Sequence, residues 1–358
     1  MKPLYLVAGA RPNFIKLAPL ARALQTLGGL PFQIVHTGQH YDEAMSEAFF
    51  RVLDIPAPDH ALQVGPAPIN LQTARILERF DALLTSQPPS GVVVFGDVTS
   101  TLACALAAKR HQLPVAHVEA GLRSFDNSMP EELNRRLTDA LADLLLVSEP
   151  SGVENLRHEG AAEDKIHLVG NIMIDTLIQQ LPQARLREAH TRLGLPEGGY
   201  ALLTLHRPSN VDDPATLRRL LAVFTELSAE LPIVFPVHPR TQKMLNAAGG
   251  AGSLYTIPPV DYLDALCLQA HARLVLTDSG GMQEETSYLD VPCLTLRENT
   301  ERPITLEQGT STLVGNDPQR IRSAFRQVMD GGYKHVTPYP LWDGQCAFRI
   351  AALLPDFF

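Results

Sequence analysis

Asp97, Glu119, Glu131 and His206 stand where buried chain comes to the surface. Asp97 follows the apolar run 91–95, Glu119 ends the run 115–118, Glu131 opens a helical stretch behind Pro130, and His206 ends the run 201–205. Carboxylates placed close together raise one another's pKa, so one is protonated while another is ionised. Such a set can take a proton from one side of a carbon and deliver one to the other. A carboxylate that ends a buried strand belongs in a polar cleft. Plainer readings stand beside these: Asp97 as a helix N-cap, Glu131 as a charge favoured by its own helix dipole, His206 as a structural histidine. His206 differs from most single histidines in ending a strand and preceding Arg207; His238, in Pro236-Val237-His238-Pro239-Arg240, has a parallel place. Arg123 is expected to pair with Glu119 or Glu131.

The complementary chemistry is anion binding. In the stretch 273–303 a short apolar run leads into Asp278-Ser279-Gly280-Gly281 and then a helix, with Gln283, Glu284 and Glu285 expected in its first turn. Unpaired N–H groups at a helix start, the helix dipole and glycine's open backbone together hold a phosphate. Arg302, a fork-shaped donor, follows the next strand and suits the same ligand. The plain alternative is that Ser279 only caps the helix. Arg11 and Lys16 lie near another helix start, against the dipole preference. Either a bound anion explains them or they are solvated surface cations.

The elements that place these residues alternate strand and helix. The strands are continuous apolar runs, which indicates parallel sheets covered on both faces. Ligands bind such sheets at the carboxyl ends of their strands, where the residues above lie. Two domains are expected: 1–170, completed by a terminal helix within 343–358 that crosses back to it, and 171–342, with the boundary near Gly170-Asn171. The fold class is α/β, two Rossmann-like domains facing a cleft.

Composition narrows the function. The chain has 358 residues, enough for about two domains, and a net charge of −9 with no basic stripe, which excludes a nucleic-acid partner. No apolar run approaches a membrane span, and the N-terminus does not read as a signal peptide; a cytoplasmic location is expected. The four cysteines lack CxxC spacing and the twelve histidines lack HExxH spacing, so no metal is expected. Neither GxGxxG nor GxxxxGK[ST] occurs, which counts against a dinucleotide dehydrogenase and a P-loop NTPase.

Read as a set, the motifs resemble one family. Gly9-x-Arg11-Pro12-x-x-Ile15-Lys16, Thr37-Gly38-Gln39-His40, Gly96-Asp97, His117-Val118-Glu119-Ala120-Gly121-Leu122-Arg123, Pro130-Glu131-Glu132-x-Asn134-Arg135, Asp278-Ser279-Gly280-Gly281-x-Gln283-Glu284-Glu285 and Thr300-Glu301-Arg302-Pro303 closely resemble the non-hydrolysing UDP-N-acetylglucosamine 2-epimerases. The resemblance implies a glycosyltransferase-B-type fold, a UDP-sugar substrate, no cofactor and a homodimer. It implies reversible conversion of UDP-N-acetylglucosamine to UDP-N-acetylmannosamine by UDP elimination to 2-acetamidoglucal and re-addition, in a cell-surface polysaccharide pathway. Asp97, Glu119 and Glu131 would be the acid–base carboxylates and His206 would assist UDP departure. Arg11, Lys16, Ser279, Gly280, Gly281, Glu285 and Arg302 would contact substrate, Glu285 at the ribose. The segment 259–265 would face the uracil, with Ala265 where an aromatic is expected. Tyr41-Asp42 departs from the allosterically regulated bacterial members. The segments 36–42 and 117–132 also resemble 2-epimerases of UDP-2,3-diacetamido uronic sugars, while 300–305 leans back to the N-acetylglucosamine enzymes. A hydrolysing 2-epimerase and a UDP-sugar glycosyltransferase are the remaining alternatives.

Overall fold

The computed structural model describes residues 2–39 and 49–358. His40, Tyr41 and Asp42 lie outside the described residues. The chain divides into two compact units, Met1–Thr176 with Pro340–Phe358, and Leu177–Tyr339.

In the first unit β1 (Leu4–Ala8), β2 (Phe32–His36), β3 (His60–Ala61), β4 (Gly91–Phe95), β5 (Val115–Ala120), β6 (Leu144–Val147) and β7 (Ile166–Leu168) form a seven-stranded sheet in the order β3-β2-β1-β4-β5-β6-β7. In the second, β8 (Ala201–Thr204), β9 (Ile233–Pro236), β10 (Tyr255–Ile257), β11 (Leu274–Thr277), β12 (Cys293–Thr295) and β13 (Ser311–Leu313) form a six-stranded sheet in the order β10-β9-β8-β11-β12-β13. The described pairings are parallel. Parallel strands need helical crossovers, which cover both faces and make the strands apolar throughout. Phe80, Val92 and Val94 anchor one core; Phe224, Phe235 and Phe325 anchor the other. Each such side chain, fully buried, contributes about 1.5–3 kcal/mol.

Both sheets reverse their strand order beside the first strand laid down. β1 pairs with β2 and β4, and β8 pairs with β9 and β11. The loops that leave adjacent strands at such a point diverge and leave a crevice at their carboxyl ends. The turn at Gly9–Arg11 and the pair Gly96-Asp97 flank one switch point. His206 and Asp278-Ser279 flank the other.

Two differences from the sequence reading have local causes. The helix Ile172–Leu186 starts directly after Gly170-Asn171, and the division between the units falls within it. The helix after β11 starts at Gly280, because both glycines take helical geometry, so Glu284 and Glu285 lie beyond its first turn and Gln283 closes it. The terminal helix, Cys346–Phe357, belongs to the first unit and lies against the helix Arg11–Leu27. Among the described residues no helix is long and apolar enough to cross a membrane.

Candidate active site

The first set of groups is built around Gly96. Its φ is +61°, and a Cβ there would lie 2.7 Å from Lys16 Nζ and 3.1 Å from Glu119 Oε2. Only glycine lets the end of β4 approach these groups in this conformation. Lys16 and Glu119 form an ion pair, both buried. Asn13 fixes the helix that carries Lys16: its Oδ1 accepts from the Gly9 and Ala10 amides at 3.2 and 3.1 Å, and its Nδ2 donates to the Phe95 carbonyl at 2.8 Å. Lys16 is not a solvated surface cation. Its charge is met inside the protein, by Glu119. Arg11 is exposed, its guanidinium carbon 5.8 Å from the centre of the Phe49 ring.

Glu119 has a φ of +75°, and the β5–β6 register shifts between Val118 and Ala120. The residue occupies a bulge that re-aims its side chain. A non-glycine residue in this region costs about 1–3 kcal/mol and needs support from its surroundings. Support comes from both sides. His117 sets Nδ1 2.6 Å from Asp139 Oδ1 and Nε2 2.8 Å from the Gly96 carbonyl, and the Gly121 amide donates to Asp139 Oδ2 at 3.0 Å. Burial raises the Asp139 pKa, but His117 and Arg123 outweigh it and the carboxyl lies below its usual range. Arg123 pairs with Asp139 at 2.7 Å and Glu159 at 2.6 Å, not with Glu119 or Glu131. It reaches back to the helix ends beneath the site and braces the loop.

Asp97 is partly exposed, and its Oδ2 lies 2.5 Å from Arg135 Nη2. It is not a helix cap: Val98 holds that position for the helix Thr99–Arg110. Arg135 also pairs with Glu132 at 2.9 Å, and Glu132 accepts from the Ser124 and Phe125 amides at 2.8 and 3.1 Å. Of the adjacent glutamates, Glu132 is therefore the structural one. Glu131 is half-buried in the first turn of the helix Pro130–Leu141, with no side-chain partner among the described residues.

In the second unit Asp278 is fully buried at the end of β11. It accepts from the amides of His206 at 3.0 Å and Arg207 at 2.9 Å and from Asn210 Nδ2 at 3.1 Å. Its Oδ1 lies 2.6 Å from His206 Nδ1, while the His206 side chain remains 58% exposed. Burial raises the Asp278 pKa, yet the His206 ring and the two amides outweigh it and hold the carboxyl low. Asp278 is the residue that sequence reasoning missed, although it stood in a quoted motif; a carboxylate closing an apolar run beside Ser-Gly-Gly was the available signal.

Ser279 holds the N-cap position but its side chain makes no capping bond; its amide donates to Thr277 Oγ1 at 3.0 Å. Gly280 and Gly281 are half-buried. A Cβ on Gly280 would lie 2.7 Å from both Arg302 Nη1 and Glu301 Oε1. Arg302 thus adjoins the helix start, but it is buried and paired with Glu301 and, at 2.9 Å, with Glu284. Its fork is committed to carboxylates rather than held open. Glu285 is buried too, accepting from Tyr262 Oη at 3.1 Å and Gln269 Nε2 at 2.9 Å, and burial pushes its pKa up despite them. Tyr262, in the segment expected at the uracil, is turned inward onto Glu285. His238 is exposed beyond β9.

One group of metal-ligating types converges among the described residues: His190, Cys267 and His271. Both Nδ1 atoms lie 3.8 Å from Cys267 Sγ. The imidazoles stack at 4.1 Å with planes 16° apart. An ion prefers to lie in the plane of each ring that binds it, so this stacking does not suit shared ligation. His271 Nδ1 is also 2.9 Å from the Cys267 carbonyl.

Known proteins are similar to this chain in sequence and fold. The family model for UDP-N-acetylglucosamine 2-epimerase matches residues 22–355. A protein named UDP-N-acetylglucosamine 2-epimerase from Methanocaldococcus jannaschii is 40% identical over 362 residues, 98% of each chain. The UDP-2,3-diacetamido-2,3-dideoxy-D-glucuronate 2-epimerase of Pseudomonas aeruginosa is also 40% identical, over 97% of this chain and 98% of that one. The crystal structure of the M. jannaschii UDP-GlcNAc 2-epimerase in complex with UDP-GlcNAc and UDP matches at a TM-score of 0.91, with 38% identity over 99% of each chain. The expected pair of parallel-sheet domains of the glycosyltransferase-B type is the fold found. The chain belongs to the UDP-N-acetylglucosamine 2-epimerase family.

Proposed function

We propose that this chain is an isomerase that interconverts UDP-N-acetylglucosamine and UDP-N-acetylmannosamine at C2. The observation that carries the proposal is the group around Gly96: a buried Glu119 paired with Lys16, an Asp97 paired with Arg135, and an unpartnered Glu131 on the next helix. One carboxylate takes the C2 proton. The C1–O bond breaks with its electron pair going to the β-phosphate oxygen, which leaves UDP and 2-acetamidoglucal. UDP adds back to C1 while a second carboxylate protonates C2 on the other face. Hydrogen leaves and returns as a proton, so the cycle is redox-neutral and calls for no nicotinamide.

The second unit serves the nucleotide. The helix start at Gly280 and Gly281 receives the diphosphate through its amides. Ser279 adds a hydroxyl that capping does not use. Arg302, beside the same helix start, reaches the diphosphate by giving up one of its carboxylate partners, Glu284 or Glu301. Glu285 takes the ribose hydroxyls by exchanging its bonds to Tyr262 and Gln269. His206 exchanges a proton with the departing and returning UDP, and Arg11 and Lys16 contact the substrate from the first unit. The same family resemblance supports a homodimer in the cytoplasm, which light scattering and cell fractionation test.

Proton NMR of the purified protein with UDP-N-acetylglucosamine in deuterated water tests the reaction. Formation of UDP-N-acetylmannosamine with deuterium at C2 is expected. Release of free N-acetylmannosamine and UDP would assign the hydrolysing reaction instead. A second substrate has a specific basis: the relative named for the diacetamido uronic sugar is as similar as the one named for the N-acetylglucosamine enzyme, 40% in each case. Turnover of that sugar alone would replace the first substrate and leave the mechanism in place.

A further inference from the structure

We infer that Asp278 is the positioning residue of His206, locking the ring so that only Nε2 is presented for proton exchange with the β-phosphate oxygen of UDP. This deepens the proposed reaction and rests on it for the identity of the phosphate. The lock itself rests on geometry within one unit.

Register puts the two residues side by side. β8 and β11 are paired strands, with Thr204 opposite Thr277, so His206 and Asp278 leave neighbouring strand ends at the switch point. Asp278 is fully buried, whereas the His206 side chain is 58% exposed. An exposed imidazole normally samples several ring orientations. Here Nδ1 is 2.6 Å from Asp278 Oδ1, and the His206 and Arg207 amides fix the backbone on the same carboxylate at 3.0 and 2.9 Å. Side chain and main chain are therefore tied to one rigid point beneath the sheet end.

The chemistry follows from which atoms are occupied. An ionised carboxylate only accepts, so the neutral ring must place its proton on Nδ1. The lone pair is then on Nε2, which has no partner among the described residues. When Nε2 takes a proton, the buried charge of Asp278 meets the imidazolium in a charge-assisted bond. In elimination the imidazolium, charged by a proton taken up from solvent, gives Nε2–H to the leaving β-phosphate oxygen and becomes the neutral Nδ1–H ring; in re-addition Nε2 takes the proton back. Asp278 keeps its own charge throughout. Asn210 separates this role from simple loop anchoring, because it binds Asp278 Oδ2 at 3.1 Å and the Leu296 carbonyl at 2.9 Å without touching the ring.

Long-range proton–nitrogen NMR of the ring nitrogens tests the lock, with the His206 signal identified by its loss in His206→Asn. Wild-type His206 should be the Nδ1–H tautomer, and Asp278→Asn should shift it to Nε2–H, because the amide NH2 now faces Nδ1. In the same variant kcat should fall about a hundredfold, the scale of general acid–base assistance, with UDP affinity changed only a few-fold. Asn210→Ala should keep the Nδ1–H tautomer and lose much less turnover. An Nε2–H tautomer in the wild type would overturn the inference, and that measurement stands even if Asp278→Asn does not fold. So would an unchanged tautomer in Asp278→Asn, or equal losses in Asp278→Asn and Asn210→Ala. If the wild type turns over neither UDP-sugar, the proposed reaction falls while the tautomer spectra still decide whether Asp278 locks His206.

Discussion

The two units hold charge at a strand end in opposite ways. In the first, the candidate carboxylates stand beside cations: Glu119 on Lys16, and Asp97 on Arg135. In the second, the candidate group is an exposed imidazole and its partner is a buried anion. A carboxylate paired with a cation keeps its charge and can receive a proton without leaving a naked charge behind. An imidazole on a fixed anion can gain and lose a proton repeatedly at its outer nitrogen. The first arrangement suits abstraction at carbon; the second suits traffic with a phosphate. Glu131 has no side-chain partner among the described residues and has only its helix start beside it.

The sharpest break of this comparison is to remove the carboxylates. Glu119→Gln and Asp97→Asn are each expected to lower turnover by about a hundred- to ten-thousandfold, while calorimetry shows UDP still binding. Normal turnover in either variant would remove that residue from the proton path. Stability should separate the halves as well. Lys16→Met strands a buried charge and should cost about 3–5 kcal/mol in urea unfolding. His206→Asn takes one partner from buried Asp278 but leaves it the two amides and Asn210, and should cost about 1–2 kcal/mol. Equal costs would mean that the two ends are built alike after all.

Backbone substitutions make a finer contrast. Gly96→Ala places a Cβ 2.7 Å from Lys16 Nζ at a φ of +61°, so it should destabilise the first unit by about 1–3 kcal/mol and reduce turnover. Gly280 lacks the positive φ, and its Cβ would instead displace Arg302 and Glu301 from the helix start. Gly280→Ala should weaken UDP binding about tenfold, or ~1.4 kcal/mol, with a smaller effect on folding. UDP binding at wild-type strength in Gly280→Ala would separate the diphosphate site from that helix start.

Sequence made the α/β alternation and the polar strand ends legible, because apolar runs and the polar residues that close them are written in adjacent positions. Asp97, Glu119 and Lys16 could be singled out, yet their partners could not. Lys16–Glu119 joins the first strand's helix to the fifth strand, and Arg123 turned to Asp139 and Glu159 instead of the nearer acids. Pairing of that kind is decided by the bulge at Glu119 and by burial, which no local spacing records. Glu285 and Arg302 were recognisable as site residues from motif likeness, but their burial against Tyr262 and Glu301 comes from the turn of the helix that follows β11. Helix Ile172–Leu186 escaped notice because it follows a Gly-Asn that read as a boundary.

Asp175, in that same helix, gives a last and smaller test of what an unpaired acid does outside the site. It is buried and accepts from the Cys346 and Ala347 amides at 3.2 and 2.7 Å, capping the terminal helix from another element. Among the described residues it forms no ion pair such as Lys16 forms with Glu119; Arg349 acts on it only from a distance. Burial pushes its pKa up to about 6, against the pull of those two amides. A carboxyl whose folded pKa is raised stabilises the fold fully below its unfolded pKa, near 3.8, and that contribution is lost as pH rises through about 6. Between about pH 5 and pH 7 the loss amounts to about 1 kcal/mol. Asp175→Asn has no such titration, so its stability relative to wild type should improve by about that amount over the same range, read as the difference between the two urea-unfolding curves at each pH. A constant difference would show that the amides offset the burial and that Asp175 stays ionised.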